Sequence, residues 1–80
     1  MNKLSYDAKV QNVRLKNVND ISDLYKYRIN QHKFMLVTVE DDGVFWVDVF
    51  DDRPEHIDVI NRMIEDDIVE DIIPYVPEDE

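Results

Sequence analysis

The chain has 80 residues, with no cysteine, one glycine and three prolines. This length accommodates one hydrophobic core and no disulfide framework, so packing alone must hold the fold together. An apolar content of 44% lies above the range of disordered chains. The net charge of −10 excludes a conventional duplex-binding surface as the whole function.

The charge is distributed unevenly along the chain. Residues 1–39 carry seven basic and three acidic residues, for a net charge of +4, whereas residues 40–80 carry sixteen acidic and two basic residues, for −14. If every basic residue were paired with an acid, ten acids would remain. Internal neutralisation therefore accounts for only part of the acidic surface.

The first part of the chain gives ambiguous periodicity. Residues 8–16 fit either a strand or a weak helix, and residues 17–20 are typical of a loop. Tyr25, Tyr27 and Ile29 alternate as in a strand, although Ile21 and Leu24 would place the same segment on a helix face. The composition of residues 25–29 favours a third antiparallel strand.

A β-hairpin is the clearest predicted element, with strands at residues 34–40 and 44–50 joined by Asp41-Asp42-Gly43. A two-residue turn would set Glu40 beside the apolar row. A three-residue loop, with Gly43 in a left-handed conformation, instead aligns six apolar residues on one face. These are Met35, Val37, Val39, Phe45, Val47 and Val49. Trp46 and Asp48 then lie on the opposite face.

A helix is predicted over residues 54–67, with Asp52 as its cap and Pro54 in its first turn. Its buried stripe comprises Ile57, Ile60, Met63, Ile64 and Ile68. Residues 68–73 either continue this helix or form a second one, which Pro74 ends. The predicted fold is therefore α+β, with a small antiparallel meander of three to four strands covered by a C-terminal amphipathic helix.

We expect a single domain at residues 1–76 and an acidic tail at residues 77–80. No segment has the composition of a signal peptide or a membrane span, so a cytoplasmic protein is expected.

The residues that could carry chemistry are sparse. The two histidines, His32 and His56, cannot form a zinc site without cysteine, and Asp41-Asp42-Gly43 lacks the alternating ligands of a calcium loop. No hydroxyl lies in a motif that supplies a base and an oxyanion hole. We therefore expect no enzymatic activity, no metal and no cofactor. Direct nucleic-acid binding is disfavoured by the negative half of the chain.

The acidic residues suggest imitation of a phosphate backbone. A helix over residues 54–67 would span about 21 Å and carry one carboxylate per roughly 4 Å, against ~3.4 Å per phosphate along a DNA strand. If this helix continued, Asp66 and Asp67 would face Glu70 and Asp71 as like-charge pairs, which solubility alone would not favour. The expected partner is a larger nucleic-acid-binding or nucleic-acid-processing protein with a basic surface. The candidate binding residues are Asp41, Asp42, Trp46, Asp48, Asp51, Asp52, Glu55, Asp58, Glu65, Asp66 and Asp67.

Trp46 has two interpretations. It is either a small second core covered by the N-terminal segment, or an exposed anchor among carboxylates, as in interface hot spots. The alternative function is a structural or adaptor protein that docks or dimerises through this aromatic sheet face, with the acids serving only solubility. Small size, acidity and the lack of catalytic motifs resemble, in kind, the phage-encoded inhibitors of host nucleases, restriction systems and CRISPR complexes. That resemblance implies an anti-defence inhibitor.

Overall fold

A four-stranded antiparallel sheet and one α-helix make up the fold, which confirms the predicted α+β class. The computed structural model describes residues 1–29, 34–51 and 53–76. The sheet has the order β2-β3-β1-β4, so the first strand lies between the third and the last. In chain order the elements are β1 (Val10–Leu15), a 3-10 helix (Ile21–Tyr27), β2 (Met35–Val39), β3 (Phe45–Val49), α1 (Glu55–Glu65) and β4 (Val69–Pro74).

The β2–β3 hairpin has the predicted three-residue loop and register. Its pairs are Met35 with Val49, Val37 with Val47 and Val39 with Phe45. Gly43 has a φ of 85°, and its amide donates a 2.9 Å hydrogen bond to the Glu40 carbonyl. This left-handed conformation is the one that glycine adopts without a steric penalty.

The strand predicted at residues 25–29 is wrong, because residues 25–27 form the end of the 3-10 helix Ile21–Tyr27. A capping box starts the helix: the Asp20 carboxylate accepts from the Ser22 amide, and the Asp23 carboxylate accepts from the Asp20 amide. Arg28 ends it in the left-handed region, with a φ of 58°. These local side-chain bonds satisfy the free amides of the first turn and override the alternation of the tyrosines.

The second misprediction concerns residues 68–73, which form most of strand β4 and not a helix. The helix ends in a Schellman motif, in which the Asp67 amide donates to the Ile64 carbonyl and the Ile68 amide to the Met63 carbonyl. Asp67 takes the left-handed position, with a φ of 60°, that glycine usually fills. The chain therefore reverses at Asp67 and returns along β1.

This reversal removes the like-charge helical pairs expected between residues 66–67 and 70–71. Glu70 and Asp71 belong to an edge strand, so they are not one helical turn from Asp66 and Asp67. The unfavourable spacing that argued against a merely soluble surface does not exist.

One hydrophobic cluster joins α1, the 3-10 helix and the inner face of the sheet. Val13 of β1 and Val47 of β3 are fully buried, as are Ile57, Ile60 and Met63 of α1. The predicted helix stripe is confirmed at these three positions, and Ile64 and Ile68 are partly buried against the same cluster. His56 and Val59, which lie outside the predicted stripe, are buried too.

The N-terminal segment packs on the helix and not on the Trp46 face. The Leu4 amide donates to Asn61 Oδ1 at 2.7 Å, and Asn61 Nδ2 donates back to the Leu4 carbonyl at 3.0 Å. The Tyr6 hydroxyl donates to the Asp58 carboxylate at 2.7 Å. Trp46 is therefore not the centre of a second core beneath this segment.

Three features predicted from the sequence lie outside the described residues. They are the helix cap Asp52, the loop at residues 30–33 with His32, and the acidic tail at residues 77–80. The helix itself begins at Glu55, directly after Pro54.

The buried His56 imidazole should limit stability. The residue is 2% exposed, and neither ring nitrogen has a hydrogen-bond partner among the described residues. Replacing His56 with Leu should raise the free energy of unfolding by about 1–3 kcal/mol, because the desolvated nitrogens disappear. Urea denaturation measures this change. His56→Gln keeps buried polar atoms and should not stabilise, and a destabilised His56→Leu variant would contradict the assignment.

The left-handed Asp67 should carry a removable backbone penalty. Asp67→Gly should stabilise the protein by roughly 0.5–1 kcal/mol, because glycine adopts this conformation freely. Asp67→Ala is the matched control, since it loses the same carboxylate and keeps the Cβ atom. Thermal unfolding should order the three proteins with Gly above Asp and Asp above Ala, and equal effects of Gly and Ala would contradict the prediction.

Candidate protein-binding surface

The outer face of the sheet, which is the face opposite α1, presents a mixed row of side chains. Antiparallel pairing sets Thr38, Trp46, Arg14 and Asp71 side by side across all four strands. The adjacent row consists of Leu36, Asp48, Asn12 and Ile73. In the part of the chain that the structure describes, neither helix covers this face, because both bury their apolar side chains against the inner face. Trp46 is half-buried and Leu36 is 53% exposed.

The hairpin loop brings three carboxylates beside Trp46. Glu40, Asp41 and Asp42 line an open depression together with Trp46, Arg14 and Asp71. Two of the predicted binding residues, Asp41 and Asp42, are thus placed next to the predicted anchor. We call the four acids of this depression, together with Asp48 of β3, the loop-side acids: Glu40, Asp41, Asp42, Asp48 and Asp71.

Five more of the predicted acids lie on or directly after α1. Because α1 packs its apolar stripe on the inner face, Glu55, Asp58 and Glu65 point away from the outer face. Asp66 and Asp67 follow the helix at the end of the sheet that also carries the hairpin loop, since Leu15 pairs with Val69 and Arg14 with Trp46. We call all five the helix-side acids: Glu55, Asp58, Glu65, Asp66 and Asp67. The predicted binding residues therefore do not share one face. Asp51 lies after β3, where Arg53 Nε contacts its carboxylate at 2.9 Å.

Three of the five helix-side acids form ion pairs with the basic half of the chain. Lys3 Nζ lies 2.8 Å from Glu65, Lys16 Nζ 3.3 Å from Asp67 and Lys26 Nζ 3.3 Å from Asp66. Asp58 accepts the Tyr6 hydroxyl. Such exposed ion pairs contribute little to stability, but they reduce the charge available to a partner. The internal pairing expected from the charge arithmetic is thus concentrated on this side.

The loop-side acids form no such ion pairs in the described residues, although Arg14 lies in the same depression. No lysine or arginine in the described ranges forms an ion pair with Glu40, Asp41, Asp42, Asp48 or Asp71. Asp42 and Asp71 instead accept hydrogen bonds from the backbone amides of Val44 and Ile72, at 3.0 and 2.9 Å. Five carboxylates that form no ion pair in the described residues therefore lie near Trp46, with Arg14 among them.

Tyr27 and Asp66 form the best-defined polar contact of the helix side. The buried Tyr27 hydroxyl donates to the Asp66 carboxylate, and the Arg62 guanidinium lies 5.6 Å from the Tyr27 ring centre. Burial, followed by the bond to Asp66, raises the pKa of the Tyr27 hydroxyl. The Tyr27 bond, followed by Lys26, lowers the pKa of the Asp66 carboxyl below its ordinary 3.8. These contacts fix Asp66 within the fold and make it a poor candidate for a partner.

Glu40 joins Asp41 and Asp42 in the candidate site, although it was not a predicted binding residue. Two further residues, Arg14 and Asp71, are also outside the predicted set. Both come from segments with weak local signals and reach Trp46 only through β1, which pairs with β3 on one side and with β4 on the other. Alternation of polar and apolar residues at positions 12–15 was the available signal for Arg14. No comparable local pattern singles out Asp71.

Removing the Tyr27 hydroxyl should change the acid titration of one carboxyl. In Tyr27→Phe the pKa of Asp66 should rise towards 3.8, because its strongest hydrogen bond is lost. A depressed folded-state pKa contributes stability above the unfolded-state value and loses it as pH falls through the folded value. As the pH falls below 4, the free energy of unfolding should therefore decrease less in the variant than in the parent protein. Carboxyl NMR titration measures the shift, and Tyr6→Phe should leave the Asp66 titration unchanged.

Comparisons with known proteins assign no function to this chain. Among the described residues there is no group of three or more His, Asp or Glu side chains that could hold a metal ion. No helix in the same residues is both long and apolar enough to cross a bilayer. No protein-family profile matches the chain, and no curated protein or solved structure matches it significantly.

Proposed function

We propose that this chain is a small non-enzymatic inhibitor or regulator that binds the basic, nucleic-acid-binding surface of a larger protein. The loop-side acids pair with lysine and arginine side chains of that surface, and Trp46 supplies an apolar contact between them. A nuclease, restriction or CRISPR protein is the narrower form of this proposal, and its support is the resemblance in size and charge.

The single observation that supports the proposal is the partition of the carboxylates. Folding pairs three helix-side acids with Lys3, Lys16 and Lys26, whereas the loop-side acids form no ion pair in the described residues and lie with Arg14 around a half-buried tryptophan. Tryptophan is enriched at interface hot spots, where surrounding polar residues exclude water. Unpaired charges of one sign speed the encounter with an oppositely charged partner.

The spacing of these acids fits separate cationic contacts better than a continuous phosphate track. Asp42 in the hairpin loop and Asp48 in β3 are six residues apart, which corresponds to at most roughly 20 Å. Trp46 occupies the interval between them. Phosphates of one DNA strand would place about six charges over that length. The loop-side acids therefore imitate a few phosphates at fixed positions, with an aromatic side chain between them.

Two charge-matched variants test whether the position of the acids matters. Asp41→Asn/Asp42→Asn/Asp48→Asn removes three loop-side charges, and Asp58→Asn/Glu65→Gln/Asp67→Asn removes three helix-side charges. Both variants have the same net charge, so an effect of total charge is equal in the two. Affinity for a partner captured from lysate should fall at least roughly tenfold in the loop-side variant, about 1.4 kcal/mol. It should change little in the helix-side variant.

The same capture distinguishes the proposal from the adaptor function. Binding should weaken steeply with salt and be displaced by double-stranded DNA, because both compete for the basic surface. An equal loss of affinity in the two triple variants would show that only the net charge matters, and it would contradict the proposal. Capture that resists salt and DNA, and is lost in Trp46→Ala, would instead support docking through the aromatic face.

A further inference from the structure

The outer face of the sheet carries apolar side chains that no element of the described residues covers. Trp46 of β3 and Ile73 of β4 are partly exposed, and Leu36 of β2 is more than half exposed. The Tyr75 amide donates to the Lys9 carbonyl at 3.1 Å, so the β1–β4 pairing continues one residue beyond β4. Strand alternation then places Tyr75, which is 57% exposed, on the same face as Ile73. An antiparallel sheet with one face in water normally carries polar residues there, and these four residues depart from that pattern.

The charge on this face restricts what can cover it. The five loop-side acids lie on the face or at its edge, whereas its two central rows contain one cation, Arg14. A second copy of the chain would bring the same five acids, and a nucleic acid or an anionic lipid surface would bring phosphates. Repulsion between like charges opposes each of these contacts. Charge complementarity therefore favours a cationic protein segment.

The backbone of the covering segment must satisfy its own hydrogen bonds. Strands bond to one another within the plane of the sheet, so a segment that lies on a face finds no peptide partners there. Peptide groups that are buried without partners cost free energy. An α-helix bonds each amide to a carbonyl four residues earlier, so it can bury an apolar side without this cost. A helix on a sheet is also the arrangement that α1 forms on the inner face.

We propose that the outer face binds a cationic amphipathic α-helix of the partner, which lies across the strands. This inference rests on the proposed function, and it names the part of the partner that is bound. Lysine and arginine side chains on the flank of the helix nearest the hairpin loop face the loop-side acids. Apolar side chains along the centre of the helix contact Leu36, Trp46 and Ile73.

The spacing of the apolar side chains matches one stripe of such a helix. Leu36 and Ile73 lie on the two edge strands, which are three strand spacings or about 14 Å apart. A helix with apolar residues at positions i, i+3, i+7 and i+10 presents a stripe about 15 Å long. Trp46 lies between the two ends of this stripe. A helix of about twelve residues, or roughly three turns, is therefore long enough to cover the face.

A stapled helical peptide tests this docking on the full chain. The probe has about fourteen residues, with leucines at i, i+3, i+7 and i+10 and lysines on one flank of that stripe. A side-chain staple on the opposite side keeps it helical, because short helices are marginal in water. The control peptide has the same composition and staple, with its leucines distributed around the helix.

Tryptophan fluorescence measures the binding. Trp46 is the only tryptophan of the chain, so its emission reports contact with the outer face when the peptides contain none. The striped peptide should shift this emission to shorter wavelength and bind at least roughly tenfold tighter than the control peptide, because its leucines meet the apolar side chains together.

Two variants of β2 test which face binds. Leu36 and Val39 are 53% and 55% exposed, and Val39 belongs to the inner row, where it pairs with Phe45. Leu36→Ser should weaken binding of the striped peptide roughly tenfold, because an apolar contact is lost. Val39→Ser removes a side chain of similar exposure from the opposite face and should leave the affinity unchanged. Circular dichroism should show that both variants keep the parent fold.

Failure of the helix docking can be told apart from failure of the proposed function. The docking is overturned if the striped peptide does not shift the Trp46 emission, if both peptides bind alike, or if Leu36→Ser and Val39→Ser bind alike. The lysate capture decides the proposed function separately, because that function requires the loop-side acids and not a helix. Conversely, peptide binding that depends on Leu36, together with a captured partner that resists salt and DNA, would support the docking and contradict the proposed function.

Discussion

The position of β1 between β3 and β4 is the constraint on which the rest of the structure depends. This strand is bonded on both sides, and Val13 at its centre is fully buried under α1. Its pairing brings the basic first half of the chain against the acidic second half, so that Lys16 reaches Asp67 just beyond the strand. The same pairing sets Trp46 opposite Arg14, so the β2–β3 loop lies at the end of the sheet that carries Lys16. Strand order and register thus decide which charges meet.

Features with a local origin could be predicted from the sequence. The hairpin register followed from matching apolar faces, and the α1 stripe followed from helical periodicity. The 3-10 helix and β4 were mispredicted because short-range side-chain bonds at Asp20 and a left-handed Asp67 decide these segments. Aspartate is a weak signal for a helix end where glycine would be a strong one. His56 is polar by type, and only packing shows that it belongs to the core.

The candidate site shows the same division between local and non-local information. Asp41, Asp42 and Trp46 lie close together in sequence and meet through one hairpin. Arg14 and Asp71 join them through pairing over long separations, which no sequence window reveals. The net charge of −10 is likewise a property of the sequence, but its functional part is set by the fold. A carboxylate that already forms an ion pair with a lysine, or accepts a hydrogen bond from the buried Tyr27, contributes less to binding a partner than a carboxylate without such a contact.

The central position of an early strand has a consequence for how the molecule folds. The hairpin closes a short loop and can form first, whereas β1 and β4 are joined only after the chain has bridged more than fifty residues. Long-range closure of this kind slows folding, because chain entropy is lost before contacts compensate for it. Until the last strand arrives, one side of β1 presents bare amides and carbonyls. The pairing of β4 with β1 is therefore the longest-range closure in the sheet, and it is the contact that covers the second side of β1.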